Sequence, residues 1–263
     1  MAKRTVTSTI LISIAFLGII FYPLCGIIVT FLTVVALYEF FYMVEKKGVQ
    51  LFKFFGVIVG IFIPLSIYYK FNLAEGWQFF FVLIGLFILF LLELTKKETH
   101  QPVLSISATI FGILYISWCF SFLIRIRQLP SGTWLIAFLL LVTKASDIGA
   151  YLWGKRFGRI YLAKKISPKK SLEGAIGGFL TSFAIGLLFS FFIRDLFFWE
   201  KLFLITIMPI IAQLGDLFES LIKRDCQVKD SGKLLPGMGG ALDVIDSIIF
   251  TAPTFYLYLT MMR

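Results

Sequence analysis

The sequence has 263 residues, of which 59% are hydrophobic, 17% aromatic and only 15% charged. A water-soluble domain carries about 25% charged residues, so the composition excludes a soluble globular domain and indicates a surface that faces lipid. The formal net charge of +10 could indicate nucleic-acid binding. The basic residues lie in short segments between apolar runs, however, which indicates membrane topology and no nucleic-acid partner.

Apolar runs that are long enough to cross a bilayer follow one another along the whole chain. A transmembrane helix needs about 20 predominantly apolar residues, and the sequence predicts about nine of them. They span residues 6–22, 25–44, 51–69, 77–94, 103–124, 133–153, 172–193, 202–222 and 242–261. We therefore expect an all-α fold, a polytopic membrane helix bundle.

The segments between these helices alternate in charge. If the N-terminus is cytoplasmic, most of the 25 Lys and Arg residues fall on the inner side, as the positive-inside rule requires. The pattern predicts a multi-pass protein of the cell (inner) membrane, with nine crossings and an outer C-terminus.

The chain divides into two parts of different character. Residues 1–132 are apolar helices joined by plain loops, and we interpret them as an N-terminal transmembrane scaffold. Within this part Glu39 and Glu93 lie near the inner helix ends, where a carboxylate can reach the interface. Residues 133–263 carry polar groups inside the helices and basic, glycine-rich loops, and we interpret them as a catalytic transmembrane region with cytoplasmic loops.

Polar side chains recur every three or four residues in the sixth, eighth and ninth predicted helices, so they share one face of each helix. They are Lys144, Asp147 and Tyr151; Gln213, Asp216, Glu219, Ser220 and Lys223; and Asp243, Asp246 and Ser247. A carboxylate within an isolated span costs about 2.5–3.5 kcal/mol. We therefore expect the three faces to meet around a hydrophilic pocket open to the cytoplasm.

Clustered carboxylates without histidine or thiol partners suit hard cations such as Mg²⁺. The sequence predicts Asp216, Asp243 and Asp246 as metal ligands. The alternative is that these aspartates only form structural ion pairs with nearby Lys and Arg residues.

Two loops have the composition of phosphate-binding segments. The loop 155–170 is strongly basic, and Ser167–Gly174 leads into the seventh helix, whose first N–H groups could bind an anion. The loop 229–240 is rich in glycine, which permits close backbone approach to a ligand, although a plain reentrant turn is the alternative. For Gly174, Gly177 and Gly178 we favour close helix packing.

The segment Ser220–Asp246 resembles the defining motif of the phosphatidate cytidylyltransferases, S-x-x-K-R-x4-K-D-x5-P-G-H-G-G-x-x-D-R-x-D. Upstream, D-x-x-A-Y-x-x-G from Asp147 and S-P-x-K-S-x-E-G from Ser167 also resemble this family. Two positions depart from its pattern. The histidine of P-G-H-G-G is Met238 here, and the arginine after the first aspartate of the final pair is Val244.

The resemblance implies transfer of a cytidylyl group from CTP to phosphatidate, giving CDP-diacylglycerol and pyrophosphate for phospholipid biosynthesis. It implies a catalytic set of Asp216, Asp243, Asp246 and Lys223. It implies substrate-binding residues Asp147, Lys170, Ser171, Glu173, Ser220, Arg224, Lys229 and Asp230. The three catalytic aspartates would hold Mg²⁺, and the pattern allows a second ion, divalent or K⁺. The family further implies membrane lipid as a partner and a homodimer.

Three other readings stay open. A membrane transporter also carries inward-facing charges in its helices, often with internal repeats, which we do not find in this sequence. The departures at Met238 and Val244 leave room for a catalytically impaired family member. A relative that acts on another lipid phosphate would share the same motifs.

Overall fold

The computed structural model describes residues 2–71, 75–96 and 101–261 as a bundle of long helices. The helices are α1 (Ala2–Ile20), α2 (Tyr22–Lys46), α3 (Lys53–Tyr68), α4 (Glu75–Leu94), α5 (Pro102–Gly112), α6 (Cys119–Gln128), α7 (Gly132–Phe157), α8 (Leu172–Phe189), α9 (Phe198–Asp225) and α10 (Leu242–Met261). A π-helical turn, Ile113–Trp118, joins α5 and α6. A short 3₁₀ turn, Ser190–Phe192, follows α8.

Each predicted membrane helix overlaps a helix of the structure, with α5, the π turn and α6 together forming the fifth. Six of the described helices are long and apolar enough to cross a membrane, and three apolar helices, Thr5–Ile20, Lys53–Tyr68 and Phe80–Leu94, are shorter. The prediction of an all-α, polytopic membrane protein is confirmed. Nine crossings stay a prediction.

A small β-hairpin lies between α7 and α8, within the basic segment that we predicted as a loop. It pairs β1 (Tyr161–Ala163) with β2 (Ser167–Ser171) in antiparallel orientation. The side chain of Glu173 closes its base by accepting hydrogen bonds from the backbone N–H groups of Arg159 (3.0 Å) and Ile160 (3.2 Å). The hairpin therefore holds Lys169 and Lys170 on an ordered strand rather than on a free loop.

The core lies where α2, α6, α7, α9 and α10 meet, and large side chains fill it. Its most buried members include Leu37, Phe40, Phe41, Ile124, Phe138, Leu139, Met208, Ile249 and Phe255. Helix α4 lies at the periphery and exposes most of its apolar side chains, as expected of a surface in contact with lipid. The helices that carry the polar faces are thus held rigidly by the interior of the bundle.

Helices α7 and α8 pack closely because glycines line their contact. A β-carbon at Gly178 would lie 2.6 Å from the carbonyl oxygen of Ser146, and one at Gly174 would lie 2.8 Å from that of Ala150. Gly177 faces the indole of Trp153 with equally little space. The packing role that we favoured for these glycines is confirmed.

Hydrogen bonds show which helix ends lie together. The Thr7 hydroxyl, near the start of α1, donates to the carbonyl oxygen of Pro236 at 3.0 Å. At the opposite end of the bundle, the guanidinium of Arg127 donates to the carbonyl oxygens of Ile19 and Ile20. The start of α1 and the loop before α10 therefore share one end of the molecule.

Candidate active site

The polar faces of α7, α9 and α10 meet at this end of the bundle, as predicted. The Gln213 amide on α9 donates to the Ser146 hydroxyl on α7 at 3.1 Å. The Lys144 ammonium on α7 donates to the Ser247 hydroxyl on α10 at 2.9 Å. These contacts join the three helices through polar groups inside an otherwise apolar bundle.

Three carboxylates converge between α9 and α10. Asp216, Glu219 and Asp246 each offer an oxygen atom within 4.8 Å of the others. The side chain of Glu219 is 0% exposed and Asp246 only 7%. One oxygen of Glu219 forms an ion pair with the Lys223 ammonium, and the other has no hydrogen-bond partner among the described residues. We call these three residues the carboxylate cluster.

Asp243 lies beside this cluster and is bound by protein donors. Its carboxylate accepts hydrogen bonds from the Lys223 ammonium at 2.5 Å and from the N–H of Gly240 at 2.7 Å. It also accepts from the N–H of Ser231 at 2.9 Å, and the Ser231 hydroxyl lies 2.8 Å away. The structure thus brings two of the three predicted metal ligands together, with Glu219 as the third member. The metal role of Asp243 stays a prediction.

The side chain of Lys223 connects Asp243 with the carboxylate cluster. Its ammonium forms ion pairs with Glu219, one turn earlier on α9, and with Asp243 on α10, and only 12% of its side chain is exposed. Burial of carboxylates at this density requires a compensating cation. Lys223 supplies that charge, and its predicted contact with substrate stays a prediction.

A second cation, which is only half-buried, comes from Lys144 on α7. The Lys144 ammonium lies 3.0 Å from the carboxylate of Asp147 and 2.9 Å from the carbonyl oxygen of Val244. The Ser247 hydroxyl also lies 3.0 Å from Asp147. Although residue 244 has no charge of its own, a cation therefore contacts its backbone.

A cavity of about 270 Å³ opens between α7, α8, α9 and the hairpin. Its polar lining is formed by Asp147, Tyr151, Ser167, Lys169, Lys170, Ser171, Gln213 and Asp216. The ammonium of Lys170 lies 2.8 Å from the carboxylate of Asp216. The cavity therefore places cationic side chains next to the carboxylate cluster, as binding of a polyanion together with a metal ion requires.

Two predicted substrate residues, Ser171 and Glu173, shape the start of α8. The Ser171 hydroxyl caps the helix by accepting a hydrogen bond from the N–H of Gly174 at 3.1 Å. Glu173 is exposed and binds the backbone at the base of the hairpin. Their described hydrogen bonds are structural, and Ser171 also lines the cavity.

The remaining predicted substrate residues lie around the end of α9. The guanidinium of Arg224 donates to the carbonyl oxygens of Ile166 in the hairpin turn and Val228. Lys229 and Asp230 are exposed at the start of the following loop, and Ser220 is buried within α9. Their contacts with substrate stay predictions.

The loop 229–241, hereafter the glycine loop, folds tightly against two carboxylates. Gly237 and Gly239 have φ values of 82° and 100°, which residues with a side chain rarely adopt. A β-carbon at Gly239 would collide with the carboxylate of Asp243. The missing side chain of Gly239 leaves space for the carboxylate of Asp243, and approach of a ligand to the loop stays a prediction.

Glu39 is a residue of this region that sequence reasoning missed. It lies on α2, its side chain is 6% exposed, and it accepts hydrogen bonds from the N–H groups of Ala241 and Leu242, both at 3.0 Å. We had expected it to reach the membrane interface. The available signal was an acidic residue within the apolar span 25–44, which requires a partner.

Glu219 was recognised on the polar face of α9 but not as a member of the carboxylate group. It follows Asp216 by three residues, so both side chains lie on the same side of the helix. The family motif begins one residue later, at Ser220, and so does not include Glu219.

Comparison with known proteins shows which family the chain belongs to. The sequence model of the cytidylyltransferase family matches residues 2–262. The phosphatidate cytidylyltransferase of Thermotoga maritima is 32% identical, over 97% of this chain and 94% of that protein. The phosphatidate cytidylyltransferase of Bacillus subtilis is 33% identical, over 86% of this chain and 85% of that protein. The uncharacterized protein YnbB of Escherichia coli is 37% identical, over 75% of this chain and 68% of that protein. The chain therefore belongs to the cytidylyltransferase family.

Proposed function

We propose that this protein transfers the cytidylyl group of CTP to phosphatidate and releases CDP-diacylglycerol and pyrophosphate. The observation that carries the proposal is the carboxylate cluster beside the lysine-lined cavity, at one end of an apolar helix bundle. A lipid phosphate and a water-soluble nucleotide can meet only at such a place. The names of the relatives from Thermotoga maritima and Bacillus subtilis support this reaction.

In this reaction a phosphate oxygen of phosphatidate forms a bond to the α-phosphorus of CTP. The bond from that phosphorus to the oxygen bridging to the β-phosphate breaks, and pyrophosphate leaves with the electron pair. A phosphate monoester loses its second proton with a pKa of about 6, so the nucleophile is largely ionised at neutral pH. No residue of the site is needed as a general base.

The task of the protein is to bring two polyanions together and to stabilise charge on the leaving group. Lys169 and Lys170 line the cavity and are suited to bind the phosphates of CTP. The acyl chains of phosphatidate would stay in the bilayer, while its phosphate enters between the helices. Lys229 and Asp230 are exposed on the glycine loop and are suited to contact the bound substrate.

Asp216, Glu219 and Asp246 are suited to hold Mg²⁺. All three offer hard oxygen ligands, and the Glu219 oxygen that does not pair with Lys223 is buried without a hydrogen-bond partner among the described residues. A bound Mg²⁺ would supply charge neutralisation for the triphosphate. A second ion, divalent or K⁺, remains part of the proposal.

The position of Lys144 is relevant to the question whether this protein is a catalytically impaired member of the family. Val244 lacks the charge that the family pattern has at that position, but the Lys144 ammonium lies 2.9 Å from its carbonyl oxygen. A cation is thus present in the same neighbourhood, supplied by α7 instead of α10. Met238 accepts a weak hydrogen bond from the Ser8 hydroxyl at 3.6 Å and so packs against α1. The Lys144 contact favours an active enzyme.

We further propose that the end of the bundle carrying the site is cytoplasmic, with nine crossings of the cell (inner) membrane. CTP is a cytosolic nucleotide, and the hairpin loop at this end carries the densest group of basic residues. A homodimer, if formed, would use a face other than the α8 glycines, since α7 already covers them.

The test is incorporation of labelled CTP into lipid by the purified protein in detergent, with phosphatidate and with or without Mg²⁺. We expect a CDP-diacylglycerol product that requires both phosphatidate and the metal. Flux of solute into vesicles without lipid product would favour the transporter. The absence of both activities, reversed by Met238→His with Val244→Arg, would identify an impaired relative.

A further inference from the structure

Glu39 lies on α2, in the half of the chain that carries no family motif, yet it is bound to the region of the site. One carboxylate oxygen accepts from the N–H of Ala241 at 3.0 Å, and the other from the N–H of Leu242 at 3.0 Å. The first N–H groups of a helix lack intrahelical partners and carry partial positive charge. A buried carboxylate from another helix therefore caps the start of α10.

The glycine loop is shaped around this carboxylate. A β-carbon at Gly232 or at Gly240 would collide with the side chain of Glu39. Residues from both ends of the loop thus enclose the same acidic group. Glycine at these two positions leaves the space that the Glu39 side chain fills.

From Glu39 a continuous series of polar contacts leads to the carboxylate cluster. The Ser231 hydroxyl lies 3.1 Å from Glu39 and 2.8 Å from Asp243, so its single proton can serve either acceptor. Asp243 binds Lys223, and Lys223 forms an ion pair with Glu219. A displacement of Glu39 would therefore reach the cluster through groups in direct contact.

We propose that Glu39 is a positioning residue, which holds the glycine loop and the start of α10 so that Asp243 and Asp246 face α9. The N-terminal half then shapes the site and does more than support the bundle. The expected effect on CTP turnover rests on the proposed function, whereas the expected effect on the order of the glycine loop does not.

The test compares Glu39→Gln with Glu93→Gln. Glu93 is a matched control, because it is also a buried glutamate of the N-terminal half and is 4% exposed. Its described ion pair is local, with Lys96 three residues later in the sequence. We expect Glu39→Gln to lower kcat for CTP turnover by about 100-fold, as misplacement by about 1 Å can do. The KM for CTP should change far less, and Glu93→Gln should keep the wild-type kcat.

Amide hydrogen exchange, measured in nanodiscs without substrate, provides a second readout that does not depend on activity. Glu39→Gln should speed exchange in the peptide covering residues 231–242, and Glu93→Gln should leave it unchanged. If the wild type does not turn over CTP, the proposed reaction fails and exchange alone decides the role of Glu39. Wild-type exchange in Glu39→Gln, or wild-type kcat in an active enzyme, overturns the proposal.

If Glu39→Gln cannot be purified in folded form, Ser231→Ala tests the positioning role of Glu39 instead. This change removes only the hydroxyl between Glu39 and Asp243. Faster exchange of residues 231–242 at an unchanged melting temperature would support the positioning role, and wild-type exchange would overturn it.

Discussion

Lys223 shows how single residues keep this site stable inside a membrane. Its ammonium lies between carboxylates of α9 and α10, and all three side chains are largely buried. Removal of one partner from such an arrangement leaves an uncompensated charge, which costs more than the net contribution of the ion pair itself.

We expect Lys223→Met to lower the free energy of unfolding by about 3–5 kcal/mol, because Glu219 and Asp243 would lose their common cation. The measurement is unfolding of the purified protein in mixed detergent and SDS micelles. Lys229→Met, on the exposed part of the glycine loop, is the control and should change stability by less than about 0.5 kcal/mol. Equal stability of the two variants would contradict the structural role of Lys223.

We expect the aspartates of the site to differ in their effect on the Mg²⁺ requirement. We expect Asp216→Asn and Asp246→Asn to raise the Mg²⁺ concentration for half-maximal CTP turnover at least about tenfold, since even outer partners of a metal site cost that much. Asp243→Asn should lower kcat with a smaller change in Mg²⁺ requirement, because protein donors bind this carboxylate.

The outcome separates two assignments. A larger shift in Mg²⁺ requirement for Asp243→Asn than for Asp246→Asn would support Asp243 as a metal ligand, as its sequence motif predicts. It would also count against the grouping of Asp216, Glu219 and Asp246. Mg²⁺ titration of CTP turnover measures all three variants under one condition.

At the scale of elements, the contact of α7 with α8 determines the shape of the cavity. Glycines allow the two backbones to approach, and α7 carries Asp147 while α8 begins at the capping residue Ser171. Small residues serve this purpose in lipid, where helices gain little from the hydrophobic effect. Any side chain added at the contact must push the helices apart.

We expect Gly178→Ala to lower the free energy of unfolding by about 1–3 kcal/mol, the usual cost of overpacking. Gly85→Ala on α4 is the matched control, because its new methyl group would meet only the ring of Phe55 at 3.7 Å. That control should be neutral or stabilising by up to about 1 kcal/mol, the helix-propensity difference between the residues. The same SDS unfolding assay compares them, and equal losses would show that the α7–α8 contact tolerates a side chain.

At the scale of the whole molecule, the structure and the charge pattern make a testable statement about topology. The start of α1 and the glycine loop lie at one end. The segment after α8, which includes the exposed Arg194, lies at the other end, where Phe192 stacks on Trp134 at the start of α7. In the proposed orientation the first end faces the cytoplasm.

Labelling of single cysteines tests this orientation. In a variant without Cys25, Cys119 and Cys226, we expect Arg194→Cys to react with an impermeant maleimide in right-side-out vesicles. Lys164→Cys, in the hairpin turn, should react only after the membrane is permeabilised. The reverse pattern would invert the topology and place the CTP site outside the cell.

The sequence predicted much of the site because its polar residues follow local rules. The faces of α7, α9 and α10 were predicted from helical spacing, and the structure joins them through contacts such as Lys144 with Ser247. The division into a scaffold half and a catalytic half stays a prediction. Glu39 already indicates that the first half also shapes the glycine loop.

By itself the sequence determined the all-α class, the order of the apolar helices and the polar face of each, because span length and helical periodicity depend only on neighbouring residues. Only the tertiary structure decided that Glu219 joins Asp216 and Asp246, while Asp243 binds Lys223, Ser231 and Gly240. It also decided that Glu39 caps α10. These partnerships depend on how each helix is rotated and on how the glycine loop folds, and such relations between distant parts of the chain leave no local pattern in a single sequence.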